Sequence, residues 1–128
     1  MEQLVGRITD LPTMDVSAFI PGAEKRIVFG LRHYWDTHVM RNFRLPPGTV
    51  APLNHHPWVH WALCIGGKGK FKIGEVEYDI ESGYWMHVPG NIEHTFWNTE
   101  KDSTLDIICI VVKEGDVNPL DEQPETFC

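Results

Sequence analysis

Seven histidines occur in this chain of 128 residues, and three of them have spacings that suit a shared site. His56 and His60 are close together, and His94 follows in a separate part of the chain. Pro57 comes directly after His56 and disfavours helical backbone there, so the pair is not an i, i+4 couple on a helix. A turn at Pro57 and Trp58 would instead bring His60, at the start of a strand, beside His56.

A neutral amide accompanies these histidines. Asn54 and His56 are two residues apart, so on extended backbone their side chains share a face and His55 points the other way. If His94 enters from a separate hairpin, three imidazoles converge. Imidazole is a common ligand of divalent transition metals, so the pattern predicts a site for Fe²⁺, Mn²⁺, Ni²⁺ or Zn²⁺. The alternative is that these are surface or hydrogen-bonded loop histidines.

The elements that must position these residues are strands. Apolar runs are short, β-branched or aromatic, and 11 glycines and 9 prolines interrupt them, which indicates an all-β fold. Turn signals between the runs suit an antiparallel sandwich or barrel. The flanks, residues 1–22 and 113–128, are expected to wrap the barrel or fray. The predicted strands are 26–31, 38–45, 58–65, 69–73, 76–80, 85–88, 94–98 and 104–112.

Two segments resemble the paired signature motifs of the cupin superfamily. The resemblance covers residues 46–98 and implies one cupin domain over residues 1–128. The implied fold is a double-stranded β-helix, which is a jelly-roll barrel of two antiparallel sheets with the site in its mouth. Small cupins commonly pair through a sheet edge, so a homodimer is expected. The matching positions are Gly48, His56, Gly67, Gly83, Pro89, His94 and Asn98.

Three positions depart from the family pattern. Asn54 replaces its first histidine, His60 its glutamate and Asn91 a glycine. The resemblance therefore implies the metal ligands His56, His60 and His94, with Asn54 as a weak oxygen ligand or a supporting group. Without the carboxylate the site is more positive, which favours an anionic substrate, an enolate or hydroxide in the open positions. Asn91 is expected to tolerate the positive φ that glycine would supply.

Charged residues near the motifs suggest further roles. Asp106 lies in an apolar run, where a carboxylate is costly unless it is paired or near a cation. The last strand lines the cavity in cupins, so the resemblance makes Asp106 the candidate general base or substrate anchor. The alternative is that Asp106 lies in solvent or pairs with Arg41 or Arg44. These arginines face opposite ways, so at most one enters the barrel to hold a carboxylate substrate; Arg44 is the substrate-binding candidate.

Strand parity adds four candidates for the pocket. Ala62, Cys64 and Phe96 share parity with His60 or His94 and are expected to face inward, where they would shape an apolar substrate pocket. His87 shares parity with Trp85 and lies either in the pocket or in a subunit interface.

Composition excludes several classes of protein. The 18 acidic residues outnumber 11 Lys and Arg, giving a formal charge of −7, which argues against nucleic-acid or anionic-membrane partners. The chain shows no signal peptide and no apolar run of about 18 residues, so a cytoplasmic location is expected. Cys64, Cys109 and Cys128 form no C-x-x-C pair, so neither a disulfide framework nor a thiolate zinc site is indicated.

Two functions fit these observations. The first is a metal-dependent enzyme acting on a small oxygen-bearing substrate; three-histidine cupins that lack the carboxylate include diketone-cleaving dioxygenases and carbon-carbon lyases. Dioxygenase-type cleavage of an enolisable dicarbonyl is therefore the leading class, with a metal-dependent lyase or isomerase as an alternative. The second is a small-molecule-binding module without catalysis, in which the histidines are pocket polar groups.

Overall fold

The computed structural model describes residues 2–116 and is built from strands. Cys128 and the rest of the C-terminal flank beyond residue 116 lie outside the described range. Two short 3-10 turns, Ile8–Asp10 and Lys113–Gly115, flank the strands. The strands are β1 (Met14–Asp15), β2 (Glu24–Phe29), β3 (His38–Leu45), β4 (His60–Gly66), β5 (Lys68–Ile73), β6 (Val76–Glu81), β7 (Trp85–Val88), β8 (His94–Asn98) and β9 (Leu105–Val112).

The strands form two antiparallel sheets. One has six strands in the order β1-β2-β3-β9-β4-β7, and the other has three in the order β6-β5-β8. Strands that are neighbours in the sheet, such as β4 and β9, are distant in the chain, so the sheet is held by long-range pairing. The arrangement confirms the predicted all-β jelly roll.

Alternation along the strands separates the core from the outside. Along β9 the side chains of Leu105, Ile107, Cys109 and Val111 are fully buried. The register sets Cys109 opposite Ala62 on β4, and residues directly opposite in a sheet share a face. The inner faces of both sheets thus supply one core, which includes Phe43, Leu45, Ala62, Cys64, Phe71, Val88, Phe96, Leu105, Ile107 and Cys109.

The sequence predicted three strands with the observed bounds, namely β3, β7 and β8. Strand β4 begins at His60 rather than at residue 58, because residues 57 and 58 form a bend at the position of the expected turn. The two-residue β1 was not predicted, since it is too short to show alternation. Asn91 has a φ of 62°, which confirms the expected left-handed conformation at this position.

The outer face of the larger sheet carries exposed apolar side chains. Trp61, Leu63 and Trp85 are exposed there, on β4 and the edge strand β7. The homodimer stays a prediction.

Across residues 2–116, every helical segment is too short and too polar to span a bilayer.

Two glycines with positive φ provide a test of the packing between the sheets. Gly67 (φ 78°) packs so closely on the Thr104 carbonyl that an added Cβ would overlap its oxygen, whereas Gly83 (φ 98°) has no atom within 4 Å of such a Cβ. Gly83→Ala should cost about 1–2 kcal/mol from backbone strain alone. Gly67→Ala should cost more than about 3 kcal/mol because strain and overlap add. Urea unfolding of both variants measures the difference, and equal losses would show that the contact at Thr104 does not matter.

Candidate metal centre

The three predicted histidines meet inside the barrel. His56, His60 and His94 are all buried, and one ring nitrogen from each lies within 4.8 Å of the other two. Their ring centroids are 4.9–5.5 Å apart, and the His94 ring is nearly perpendicular to both others. The site comes from three places in the chain: a loop, the start of β4 and the start of β8.

Backbone hydrogen bonds hold the loop with His56 against the hairpin with His94. Asn54 and His94 exchange two bonds, with N···O distances of 2.9 Å and 2.8 Å. The Asn91 amide donates to the His56 carbonyl at 2.7 Å. Gly90 lies so close to the Pro57 carbonyl that no side chain would fit. The two cupin-like motifs are therefore joined at the residues that carry the imidazoles.

Two of the histidines are oriented by backbone carbonyls. Nδ1 of His56 lies 3.0 Å from the Trp58 carbonyl oxygen, and Nδ1 of His94 lies 3.0 Å from that of Ile92. A carbonyl only accepts, so each Nδ1 donates its proton and the lone pair of the neutral ring is on Nε2. Metal-binding histidines commonly have this arrangement, which fixes both tautomer and ring orientation.

The third histidine has a cationic neighbour. Nη2 of Arg41 lies 3.3 Å from Nε2 of His60. A guanidinium only donates, so Nε2 of His60 is the acceptor of this bond. An ion that binds Nε2 of His60 would take the place of this hydrogen bond, because the nitrogen has one lone pair.

Asn54 lies beside this cluster. Its bridge to His94 puts the two side chains on the same face. The residue is buried, and its Nδ2 has no hydrogen-bond partner among residues 2–116. An unsatisfied buried amide is costly, and this one is placed where the sequence predicted a weak oxygen ligand or a supporting group.

Trp58 covers one side of the site, which the sequence did not predict. Its indole stacks on His56, with centroids 5.0 Å apart and an interplanar angle of 16°. Gly115 packs on the indole from the far end of the chain, since an added Cβ would lie 2.7 Å from its Nε1. Trp58 and Gly115 are far apart in the chain, so no local sequence pattern indicates this contact.

The apolar candidates are placed inward. Ala62, Cys64 and Phe96 are buried in the core, on the same strands as His60 and His94. Burial raises the pKa of the Cys64 thiol, which is therefore a neutral packing group at neutral pH. Contact of these side chains with a substrate stays a prediction.

Asp106 and Arg44 are not placed in the barrel. They are opposite each other in the register of β3 and β9, on the outer face, with Arg44 Nη1 3.0 Å from Asp106 Oδ2. Asn42 also donates to Asp106. The expectation that the last strand directs Asp106 into the cavity is wrong, because its buried neighbours Leu105 and Ile107 occupy the inner face. The alternative of a pair with Arg44 is the one observed.

His87 also faces outward. It is exposed on the edge strand β7, opposite Trp61 in the register and away from the three buried imidazoles. Alternation explains this placement, because Met86 and Val88 are the buried residues of β7.

Arg41, not Arg44, is the arginine that enters the barrel. It shares parity with Phe43 and Leu45, two core residues of β3, and that parity is the signal that could have identified it. It is joined there by Lys25, which is opposite Phe43 in the register. Both cations contact Asp116, a residue that the sequence gave no reason to place near the site.

The residues present fit a divalent transition metal. Two imidazoles are fixed with their lone pairs on Nε2, and the third is within reach of both. A buried set of three neutral nitrogen donors suits Zn²⁺, Fe²⁺, Mn²⁺ or Ni²⁺ better than Ca²⁺ or Mg²⁺, which prefer oxygen.

Comparisons with known proteins agree with the fold. A family model described as Cupin domain matches residues 41–111. The polyketide cyclase RemF from Streptomyces resistomycificus is similar in structure, with a TM-score of 0.74 and 16% identity over 99% of this chain and 91% of that one. A predicted oxalate decarboxylase from Thermotoga maritima has a TM-score of 0.73 and 17% identity over 85% of this chain and 98% of that one. A search of curated proteins found no match.

Adjacent histidines offer a matched test of metal binding. His56→Ala and His94→Ala should each lower the metal affinity by about 10-fold or more, because a three-donor site loses one donor. Each variant should therefore lose most of its bound metal. His55→Ala removes the neighbouring exposed imidazole and should keep the metal. Elemental analysis of untagged protein after reconstitution measures the ratio of metal to chain. Equal metal content in all three variants would contradict the assignment.

Proposed function

This chain belongs to the cupin family, and from that premise we propose that it is a metal-dependent enzyme acting on a small, oxygen-bearing organic substrate. The observation that carries the proposal is the buried set of His56, His60 and His94, two of which are fixed by backbone carbonyls. A purely structural barrel has no need for three imidazoles in its interior, where polar groups are costly to bury.

The leading reaction is dioxygenase-type cleavage of an enolisable dicarbonyl or a similar compound. A divalent ion, when bound, would act as a Lewis acid toward the oxygen of the substrate. Among residues 2–116 the group of possible metal ligands contains three histidines and no carboxylate, and His60 stands at the glutamate position of the family motif. The site therefore keeps more positive charge, which favours an enolate over a neutral ketone. A metal-dependent lyase or isomerase would use the same property.

Other groups of the chain shape the site around the substrate. Ala62 and Phe96 present apolar surface on the inner face of the barrel, which excludes water and strengthens electrostatic interactions. Trp58 limits the rotation of His56 by stacking on its ring. Nη2 of Arg41 lies 3.3 Å from Nε2 of His60, so the guanidinium brings a permanent positive charge to the edge of the cluster.

A second candidate function is a small-molecule-binding module without catalysis. The hydrogen bond from Arg41 to His60 supports it, because that bond uses the lone pair that a third metal ligand needs. The amide at Asn54, in place of a histidine, also removes a strong donor. In this alternative the three imidazoles are polar groups that recognise a ligand directly.

Oxygen uptake distinguishes the two functions. The protein is reconstituted anaerobically with Fe²⁺, Mn²⁺, Ni²⁺ or Zn²⁺ and assayed against a panel of 1,3-dicarbonyl compounds. Consumption should require a redox metal and fall by about 100-fold or more in His94→Ala, because a metal ligand is lost. The exposed His87→Ala is the control and should keep wild-type activity.

The same variants identify a binding module. If no metal supports oxygen consumption, and a dicarbonyl raises the melting temperature equally in wild type and His94→Ala, the enzyme proposal fails and the binding module is favoured. The homodimer and the cytoplasmic location remain predictions made from the sequence.

A further inference from the structure

Two buried cations share one carboxylate, and one of them, Arg41, contacts His60. Lys25 and Arg41 are 0% and 1% exposed. Lys25 Nζ lies 3.0 Å from Oδ1 of Asp116, and Arg41 Nη1 lies 3.3 Å from the same oxygen. The Phe43 ring is within 6 Å of both cations. Buried charges of this kind require an anion, and here the anion comes from the end of the described chain.

Asp116 is held on a short piece of chain that covers the site. We call residues 113–116 the closing segment; it follows β9 directly and contains the turn Lys113–Gly115. Apart from Asp116, its contact with the site is Gly115 on the Trp58 indole. Few backbone hydrogen bonds hold this 3-10 turn, so its position depends on the Asp116 ion pairs and on the contact of Gly115 with Trp58.

Solvent reaches Asp116 through a cavity. A cavity of about 640 Å³ is lined by Asp116 and also by Arg32, His33 and Lys113. Two of these side chains are cationic, and Glu114 is the acidic residue beside Asp116 on the same lining. A small anion can therefore approach Asp116 from this cavity. Lys25 and Arg41 are not among the lining residues, so an anion reaches them only by displacing the Asp116 carboxylate.

Arg41 connects this position to the histidines. Its Nη1 faces Asp116 and its Nη2 faces Nε2 of His60. Its Nε is buried and has no hydrogen-bond partner within the described part of the chain. An anion bound at Lys25 and Arg41 is thus separated from the nearest imidazole, that of His60, by the Arg41 guanidinium.

We propose that Lys25 and Arg41 form a binding subsite for the carboxylate of a small oxo acid, and that Asp116 fills this subsite in the absence of ligand. The ligand class is a short carboxylic acid with a ketone oxygen on the second or third carbon. The carboxylate replaces that of Asp116, and the ketone oxygen lies toward His56, His60 and His94. The position of the ketone rests on the proposed function, whereas the carboxylate subsite does not.

Matched ligands and variants test the subsite. Pyruvate and butane-2,3-dione differ in that a methyl group of the dione replaces the carboxylate oxygen. Asp116→Asn removes the competing charge and keeps the side-chain shape, so it should bind pyruvate at least about 10-fold more tightly than wild type. Binding of the dione should not change. Arg41→Met should lose pyruvate binding. Calorimetry measures each of these affinities.

The control variant is Asp79→Asn, which also removes one negative charge. The Asp79 side chain is 88% exposed and contacts Lys70, and both residues lie in the three-stranded sheet. This variant should bind pyruvate as wild type does. If Asp116→Asn binds pyruvate no more tightly than Asp79→Asn, or gains equally for the dione, the subsite is absent and Asp116 is only a structural ion-pair partner.

Two further measurements cover loss of folding and failure of the metal site. If Asp116→Asn is unfolded, pyruvate should restore folding at concentrations where the dione and chloride do not, and a failure to do so overturns the proposal. Titrations are run on the protein as purified and again after chelation. A carboxylate effect that persists without metal supports the subsite even if the metal-dependent function fails; loss of the effect in both preparations rejects the subsite alone.

Discussion

The alternation of side chains along β3, β4, β8 and β9 decides which polar groups reach the interior. His60 and His94 begin their strands on the inner face, and Arg41 joins them by sharing parity with Phe43. A shift of one residue in the pairing register of β9 would turn its inner side chains outward and its outer side chains inward, because the side-chain period of a strand is two. The site therefore depends on register, and the register is maintained by the long pairings of β9 with β3 and β4.

Burial then makes a polar group of the interior costly unless it has a partner. The carbonyls of Trp58 and Ile92 satisfy Nδ1 of two histidines, and Asp116 satisfies the ends of Lys25 and Arg41. Removing one partner of a buried ion pair costs about 3–5 kcal/mol, because the other charge is left uncompensated. The closing segment is thus fixed by electrostatics as much as by packing. A ligand carboxylate can replace Asp116 at moderate cost, since it restores the same charge.

The fold and the grouping of the three histidines could be predicted from the sequence because both depend on the spacing of residues that are close together in the chain. Turn residues at short intervals indicated the strands, and the spacing around His56 and His94 indicated the motifs. Asp106 was predicted inward because of a family resemblance, while its own strand is apolar on both faces: Ile108 and Ile110 alternate with Leu105 and Ile107, so parity alone could not choose. For β3 the choice was available, since Phe43 and Leu45 mark the inner face and Arg41 shares it.

The contacts of the closing segment could not be predicted from local patterns. Lys25 and Asp116 are 91 residues apart in the chain, and nothing in the composition near either residue indicates the other. Gly115 shows no sequence signal for its contact with Trp58. Such pairings depend on where two distant ends of the chain come together once the sheets have formed.

Arg41 links the two halves of the site thermodynamically. A metal ion on Nε2 of His60 would displace the hydrogen bond from Nη2 of Arg41, and that donor would then be available to an anion. Conversely, an oxo acid whose second oxygen accepts a hydrogen bond from Nη2 of Arg41 would free the His60 lone pair for the ion. Each ligand favours the arrangement that the other needs, and linkage requires the effect to be equal in both directions. The guanidinium that competes with the metal for His60 in the ligand-free protein is therefore the group that would make metal and oxo acid bind cooperatively.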